Sequence, residues 1–450
     1  MRDLAFVAFL MALIGMGFRR PFLLVLGYVY VDVVSPQRLT YLLLNSVPIS
    51  LIMVVLAVGG WALFDDKRGT RFVPRQMLLV LLLIYCGFTT LHADFPLEAA
   101  AKWDWVWKAL AFAIFLPLTL RTRVRIEALA LFMVVSAASI IIVGGIKTLV
   151  SGGGYGALNL MVSNNSGLYE GSIISTVAIA IIPLILWLAK DGTIYPADLR
   201  VRGFAYALIF ACLLIPVGTQ ARTGLICIGV LGILMLRSTK RRVTYIAAVV
   251  AASLIVIPLL PSSFTQRMDT IKGYQADTSA GTRLAVWAWT WDYVQDHPLG
   301  GGFDAYRQNK IKVVTTNASG SASADTSTSV EYDKSRAYHS AYFEMLGEQG
   351  WPGLILWIVI HFGGLLRMEI LRARYKRREG EAWISRLANA LQQAHLIYLV
   401  GSLFVGIAFQ PFVYMLVGLQ IGLDTYAARK TREADATVPF GRNRIAPATV

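Results

Sequence analysis

Apolar residues arrive along the chain in long blocks, and short charged turns separate them. A helix needs about 20 apolar residues to cross the hydrocarbon core of a membrane, with about 17 tolerated. By that measure the candidate spans are 48–64, 76–91, 106–120, 126–150, 171–189, 203–218, 223–236, 243–260, 351–371, 394–409 and 411–426. The stretches 4–18 and 22–34 are both short, with Arg19 and Arg20 near their junction, and read as two thin spans or as one span and a re-entrant piece. With both termini on one side of the membrane the total is even, and twelve is the expected number. The 4–18 stretch lacks an A-x-A-like cleavage site and more spans follow at once, so it reads as retained rather than as a signal peptide. The pattern predicts an all-α polytopic membrane protein of about twelve transmembrane helices.

One polar stretch, 261–350, interrupts this pattern, so the chain divides into four parts. Residues 1–260 carry the first spans, 261–350 form a segment outside the membrane, 351–428 hold two or three further spans, and 429–450 make a tail. Within the polar segment Leu284, Trp287, Trp291 and Val294 fall on one face of a helix that ends before Pro298. A second helix is expected over 338–349, closed by Gly350 and Pro352. Aromatic-faced helices of this kind lie at membrane interfaces. The Ser, Thr, Ala and Gly run at 315–329 is expected to be a mobile loop.

Composition sharpens the class. Only 15% of the 450 residues are charged and 56% are hydrophobic, with a mean hydropathy of +0.58. A soluble domain carries about 25% charged residues, so an ordinary water-soluble enzyme is excluded. The net charge is +15, and 26 of the 42 Lys and Arg sit in six segments: 67–75, 121–125, 190–202, 237–242, 367–386 and 429–444. These alternate with pairs of spans, so they collect on one face, which the positive-inside rule makes cytoplasmic. The 261–350 segment has eight Lys and Arg against ten Asp and Glu, and falls on the other side. Basicity is therefore a topology signal, and no nucleic acid partner is expected. Cys86, Cys212 and Cys227 all lie in apolar runs without C-x-x-C spacing, which supports neither a disulfide framework nor a zinc site.

A few residues stand out as candidates for chemistry. Arg222 lies in T-Q-A-R-T, the whole connection between two spans on the outer side. It either snorkels to the headgroups as an anchor or forms an anion site at the membrane surface. Arg283, in G-T-R-L-A-V-W-A-W, opens a helix, where a cation is disfavoured unless an anion joins it. Two guanidiniums suit a diphosphate. The glycines of H-P-L-G-G-G-F (297–303, with Gly301 central) permit close approach of a phosphate or sugar, or simply a tight re-entry toward the membrane. His339 is placed at the start of the second helix, which favours its neutral, proton-accepting form; as a lone surface histidine it is otherwise only a polar residue. Glu344 and Glu348, four apart, either hold the imidazole or a sugar hydroxyl, or make a solvated face. His361 and His395 are the nearest to ion-coupling groups within spans, and they read as polar packing residues. H-E-x-x-H, G-x-S-x-G and Asp-x-Asp patterns are absent from the 261–350 segment, so no metal and no cofactor is expected.

The set of Q-A-R-T-G in a short outer turn, G-T-R, H-P-L-G-G-G-F and Y-H-S-A-Y…E-Q-G before the next span resembles the O-antigen ligase and polymerase superfamily of Gram-negative inner membranes. The diagnostic residues fall in 218–353. The resemblance implies a GT-C-like fold with a periplasmic active site, a glycan donor carried on undecaprenyl diphosphate, and a sugar hydroxyl of lipid A-core as acceptor, with membrane lipids around it. It implies that Arg222 and Arg283 bind the diphosphate and that His339 is catalytic, with Tyr338, Tyr342, Glu344, Glu348 and Gly301 in support. The transfer would be metal-independent and inverting. The first half is also similar to O-glycosylation ligases associated with exosortase systems, which leaves lipid and protein acceptors open. A polymerase of the same superfamily is the nearest alternative, and a lipid-linked glycan transporter a more distant one.

Overall fold

The computed structural model describes residues 2–40, 47–151, 167–238, 241–256, 278–318 and 326–436. The end of the 243–260 span, the first part of the polar segment to 277, the centre of the serine-rich run and the tail beyond 436 lie outside them. The described residues form fifteen α-helices, a short 3-10 turn and one β-hairpin.

Residues Arg2–Arg19 (α1) and Phe22–Val34 (α2) are separate helices, and Gly17 lets α1 close onto Leu24 of α2. The 13 residues of α2 rise only about 20 Å, short of a hydrocarbon core of about 30 Å. Most of α2 is instead buried inside the bundle. After the short α3 (Pro36–Leu39) come α4 (Ile49–Phe64), α5 (Pro74–Leu91), α6 (Pro96–Thr119), α7 (Arg123–Ser151), α8 (Gly171–Asp191), α9 (Leu199–Gly218), α10 (Arg222–Ser238) and α11 (Arg242–Val256). Five helices are long and apolar enough to cross a membrane: α5, α7, α8, α9 and the later α13 (Ala341–Tyr375). The protein is thus a multi-pass helical membrane protein, while the twelve spans expected from the sequence exceed the five that meet this measure among the described residues. Helix α8 is the most enclosed of the five and packs on α7, α9, α10 and α14 (Ala382–Gly401). The outward face of α13 carries Ile355, Val359, Phe362, Leu366 and Ile370 at helical spacing, all exposed. Such a stripe is unfavourable in water and suits lipid.

The basic turns meet at one end of the bundle. Arg125 makes two bonds to Asp65 at 2.6 and 2.7 Å, Arg123 reaches Glu127 at 2.7 Å, and Arg386 reaches Asp191 at 2.7 Å. Arg429 of α15 (Pro411–Ala436) donates to the Arg121 carbonyl. The polar segment lies at the opposite end, with the α5–α6 corner, the start of α8 and the α9–α10 turn.

Two expectations for that segment change. Strands β1 (Lys310–Ala318) and β2 (Thr326–Lys334) pair antiparallel, from Lys310↔Lys334 to Ala318↔Thr326. The two ends of the serine-rich run are therefore strand rather than loop, because its Thr residues and the flanking Val313, Val314 and Val330 favour extended backbone, and the all-α description gains a hairpin. In α12 (Thr278–Asp296) the buried face is Val286, Thr290, Tyr293 and Val294, whereas Leu284 and Trp291 are exposed. The helix has two apolar faces: one packs on α13, and the other turns outward with Trp291 edge-on to Trp351 at the start of the apolar stretch. The expected break is present: Gly350 (φ 60°, ψ −167°) divides α13 into an arm, 341–349, and a long helix from 351.

Candidate active site

Glycines fix the floor of the polar end. The Gly350 break leaves the last carbonyls of the 341–349 arm without helical partners, and the 297–303 loop supplies them: Gly301 N donates to Gly347 O at 3.1 Å and Gly302 N to Glu348 O at 2.9 Å. Trp351 N returns a bond to Pro298 O at 3.0 Å. A Cβ on Gly301 would meet the Tyr293 hydroxyl and the Asp94 carboxylate. The Gly301 amide is thus occupied by the protein, and Gly301 packs the loop against the arm rather than facing the cavity beside it.

That arm carries Glu344 and Glu348 one turn apart, both buried, and both turn toward Lys102 of α6. The Lys102 ammonium lies 2.7 Å from Glu344 Oε1 and 2.7 and 2.8 Å from the two oxygens of Glu348. Ala408 N donates to Glu344 Oε2 at 3.0 Å and Asp304 N to Glu348 Oε1 at 3.0 Å. Opposite charges this close and this dry hold each other in place, since removal of one leaves the others uncompensated. The two glutamates are thus not a solvated face.

His339 precedes the arm. The helix starts at Ala341, whose N–H is taken by the Ser402 carbonyl at 2.8 Å, and His339 sits one residue before the N-cap Ser340 with a left-handed φ of 48°. It therefore lies outside the helix it was expected to begin. A non-glycine residue holds such a conformation only when its surroundings dictate it. On one side Asn309 clamps Arg336 through bonds of 2.7 and 2.9 Å, and on the other Trp287 Nε1 donates to the Tyr338 carbonyl at 2.8 Å. The Trp287 anchor also explains Arg283, which lies one turn earlier on the same face of α12. Its guanidinium acts on the imidazole: crowding by protein, then Arg283, then Arg336 lower the His339 pKa below its ordinary value, opposed by Glu170. The exposed imidazole is thereby kept neutral at pH 7 and open to the cavity.

The cavity has a volume of about 510 Å³. His339, Tyr338, Glu344, Glu348, Lys102 and Glu170 line it, together with Glu98, Trp105, Asp304, Tyr306, Arg307 and Phe409. Tyr338 is 2% exposed and its hydroxyl has no hydrogen-bond partner among the described residues; burial and then Glu348 raise its pKa. Tyr342 turns away from the cavity, its hydroxyl donating to Leu399 O at 3.3 Å and its ring edge-on to Trp357. Arg222 opens α10 after Gln220, whose φ is 52°. Its turn packs on the start of α8, where a Cβ at Gly171 would lie 3.2 Å from Thr219 Cβ. Arg222 does not line the cavity but flanks the side where Glu170 does. Among the described residues no group of three or more His, Cys, Asp or Glu is arranged for a metal ion.

Lys102 and Glu170 were not singled out from the sequence. Glu170 did carry a local signal, an acid directly before an apolar run, and it caps α8 by accepting from Ile173 N at 2.8 Å. Lys102 also had one, being a lysine beside a span on the side where the basic turns are not.

A family model described as O-antigen ligase matches residues 206–358. That match covers about a third of the chain and supports an assignment to the O-antigen ligase superfamily. Residues 1–193 match a family of unknown function, DUF5935. No curated protein matches the chain. The cavity draws on both matched stretches: Glu98, Lys102, Trp105 and Glu170 come from the first, and His339, Glu344, Glu348 and Asp304 from the second.

Proposed function

We propose that the protein transfers a glycan from a lipid diphosphate carrier, undecaprenyl diphosphate, to the hydroxyl of a sugar acceptor, on the periplasmic face of the bacterial inner membrane. The observation that carries this reading is the position of His339, which lines a polar cavity and lies close enough to the Arg283 cation for that charge to lower its pKa. His339 takes the proton from the acceptor hydroxyl as its oxygen bonds to the anomeric carbon. The bond from that carbon to the diphosphate breaks, and the departing charge is met by Arg283, with Arg222 on the flank of the site. One displacement of this kind inverts the anomeric carbon.

Lipid A-core is the acceptor in the ligase reading, which the matched family favours. The test is purified protein in vesicles with the carrier-linked glycan, given with and without lipid A-core. A ligase forms product only with lipid A-core, whereas a polymerase lengthens chains on the donor alone. Absence of any transfer under both conditions contradicts the proposal.

A further inference from the structure

The charges that line the cavity are predominantly negative. Its lining holds five carboxylates, from Glu98, Glu170, Asp304, Glu344 and Glu348, against two cations, Lys102 and Arg307. Both cations sit beside carboxylates. Lys102 is saturated by three carboxylate oxygens within 2.8 Å, and Arg307 stands 3.7 Å from Glu98 and 3.8 Å from Asp304. The arginines proposed for the diphosphate, Arg283 and Arg222, lie outside the lining.

What the cavity does present is aromatic surface from Trp105, Tyr306 and Phe409, with Tyr338 also in its lining and the Tyr338 hydroxyl buried beside Gly347. Aromatic walls with a few placed polar groups suit the face and hydroxyls of a sugar ring. We propose that this cavity is the acceptor subsite and that it selects a terminal acceptor sugar bearing no phosphate or carboxylate. The inference rests on the transfer reading above and adds the charge class of the acceptor. The negative surplus in the lining repels an anionic sugar, and like charges brought together at a binding surface cost enough to discriminate more than about tenfold. Donor and acceptor are thus sorted by sign: diphosphate to the arginines, uncharged sugar to the carboxylates.

Two measurements separate this inference from the transfer reading. In the first, Ala101→Cys at the cavity wall is labelled in the membrane-embedded protein with a sulfonate-bearing and a trimethylammonium-bearing methanethiosulfonate, each rate divided by its rate with a free thiol in solution. The native Cys86, Cys212 and Cys227 are buried. The cationic reagent should be favoured by about tenfold or more, and Glu98→Lys should shrink that ratio. A ratio near one, or favouring the anion, overturns the acidic cavity whether or not transfer occurs. In the second, two acceptors that differ only by a phosphate on the terminal sugar are compared for transfer, and the phosphorylated one should show a KM higher by about tenfold or more. Equal KM values overturn the acceptor inference and leave transfer standing. Charge-selective labelling without transfer to either acceptor overturns the transfer reading instead.

Discussion

The protein has polar cavities at both ends of its helical bundle, and their charges are opposite. The one at the basic end, about 670 Å³, is lined by six cations, from Arg68, Arg121, Arg123, Arg125, Arg429 and Lys430, and three carboxylates, from Asp65, Asp66 and Glu433. The one at the other end, about 510 Å³, has five carboxylates and two cations. At the basic end the bonds range from one helical turn, Arg123 with Glu127, to links between separate connecting turns, such as Arg125 with Asp65. At the acidic end Lys102 meets glutamates more than 240 residues away in sequence, and His339 is held in a left-handed backbone conformation. The lesson is that the net charge of +15 describes the basic end. Strained backbone and convergent buried charge mark the end where chemistry is proposed.

The comparison breaks first at Lys102. Lys102→Met leaves two buried carboxylates without their counter-ion and should cost about 3–5 kcal/mol, read as a fall in thermal stability in detergent; unchanged stability would make the cluster a minor feature. Restoring balance with Glu344→Gln and Glu348→Gln in the same chain should recover part of the loss.

Arg283→Ala comes next. Removal of a cation that meets departing charge should lower transfer by about 10²–10³. It also has a signature in pH. His339 acts as the base in its neutral form and its pKa lies below the ordinary value, so activity should persist below the usual histidine range and fall as pH drops through the lowered pKa. Without Arg283 that pKa rises, and the acid limb of kcat/KM should move to higher pH. Glu170 pulls the other way, so Glu170→Gln should move the limb to lower pH; shifts of the opposite sign would contradict the electrostatic account.

A packing change at the same end should matter less. Gly301→Ala drives a methyl into the Tyr293 hydroxyl and Asp94, and overpacking of this kind costs about 1–3 kcal/mol. The basic end supplies the small effect: Arg378→Ala removes an exposed pair with Glu381 at 3.4 Å and should change stability by less than about 1 kcal/mol, with turnover per folded molecule unaltered.

Helices were legible in the sequence because apolar blocks and charged turns are local signals. The break at Gly350 and Pro352 and the end of α12 before Pro298 were legible for the same reason. The hairpin was hidden, since a Ser- and Thr-rich run reads as disorder by composition even though its Thr residues and the valines beside it tolerate strand. Arg222 was visible as an arginine in a short outer turn, and Arg283 and His339 as residues at expected helix starts. Their arrangement was not, because it depends on the Trp287 bond to the Tyr338 carbonyl and on the Asn309 clamp, contacts between distant stretches. Glu344 and Glu348 were visible as a pair four apart, but only the partner from α6 decides that they face inward.

Transfer of glycan from the lipid diphosphate donor by wild-type protein and by His339→Ala, reconstituted side by side in vesicles at pH 7, tests the central claim most directly. The account predicts transfer by the wild type and a loss of about 10²–10⁴ in the variant, with equal folded protein in both. Transfer by His339→Ala at the wild-type rate would contradict it.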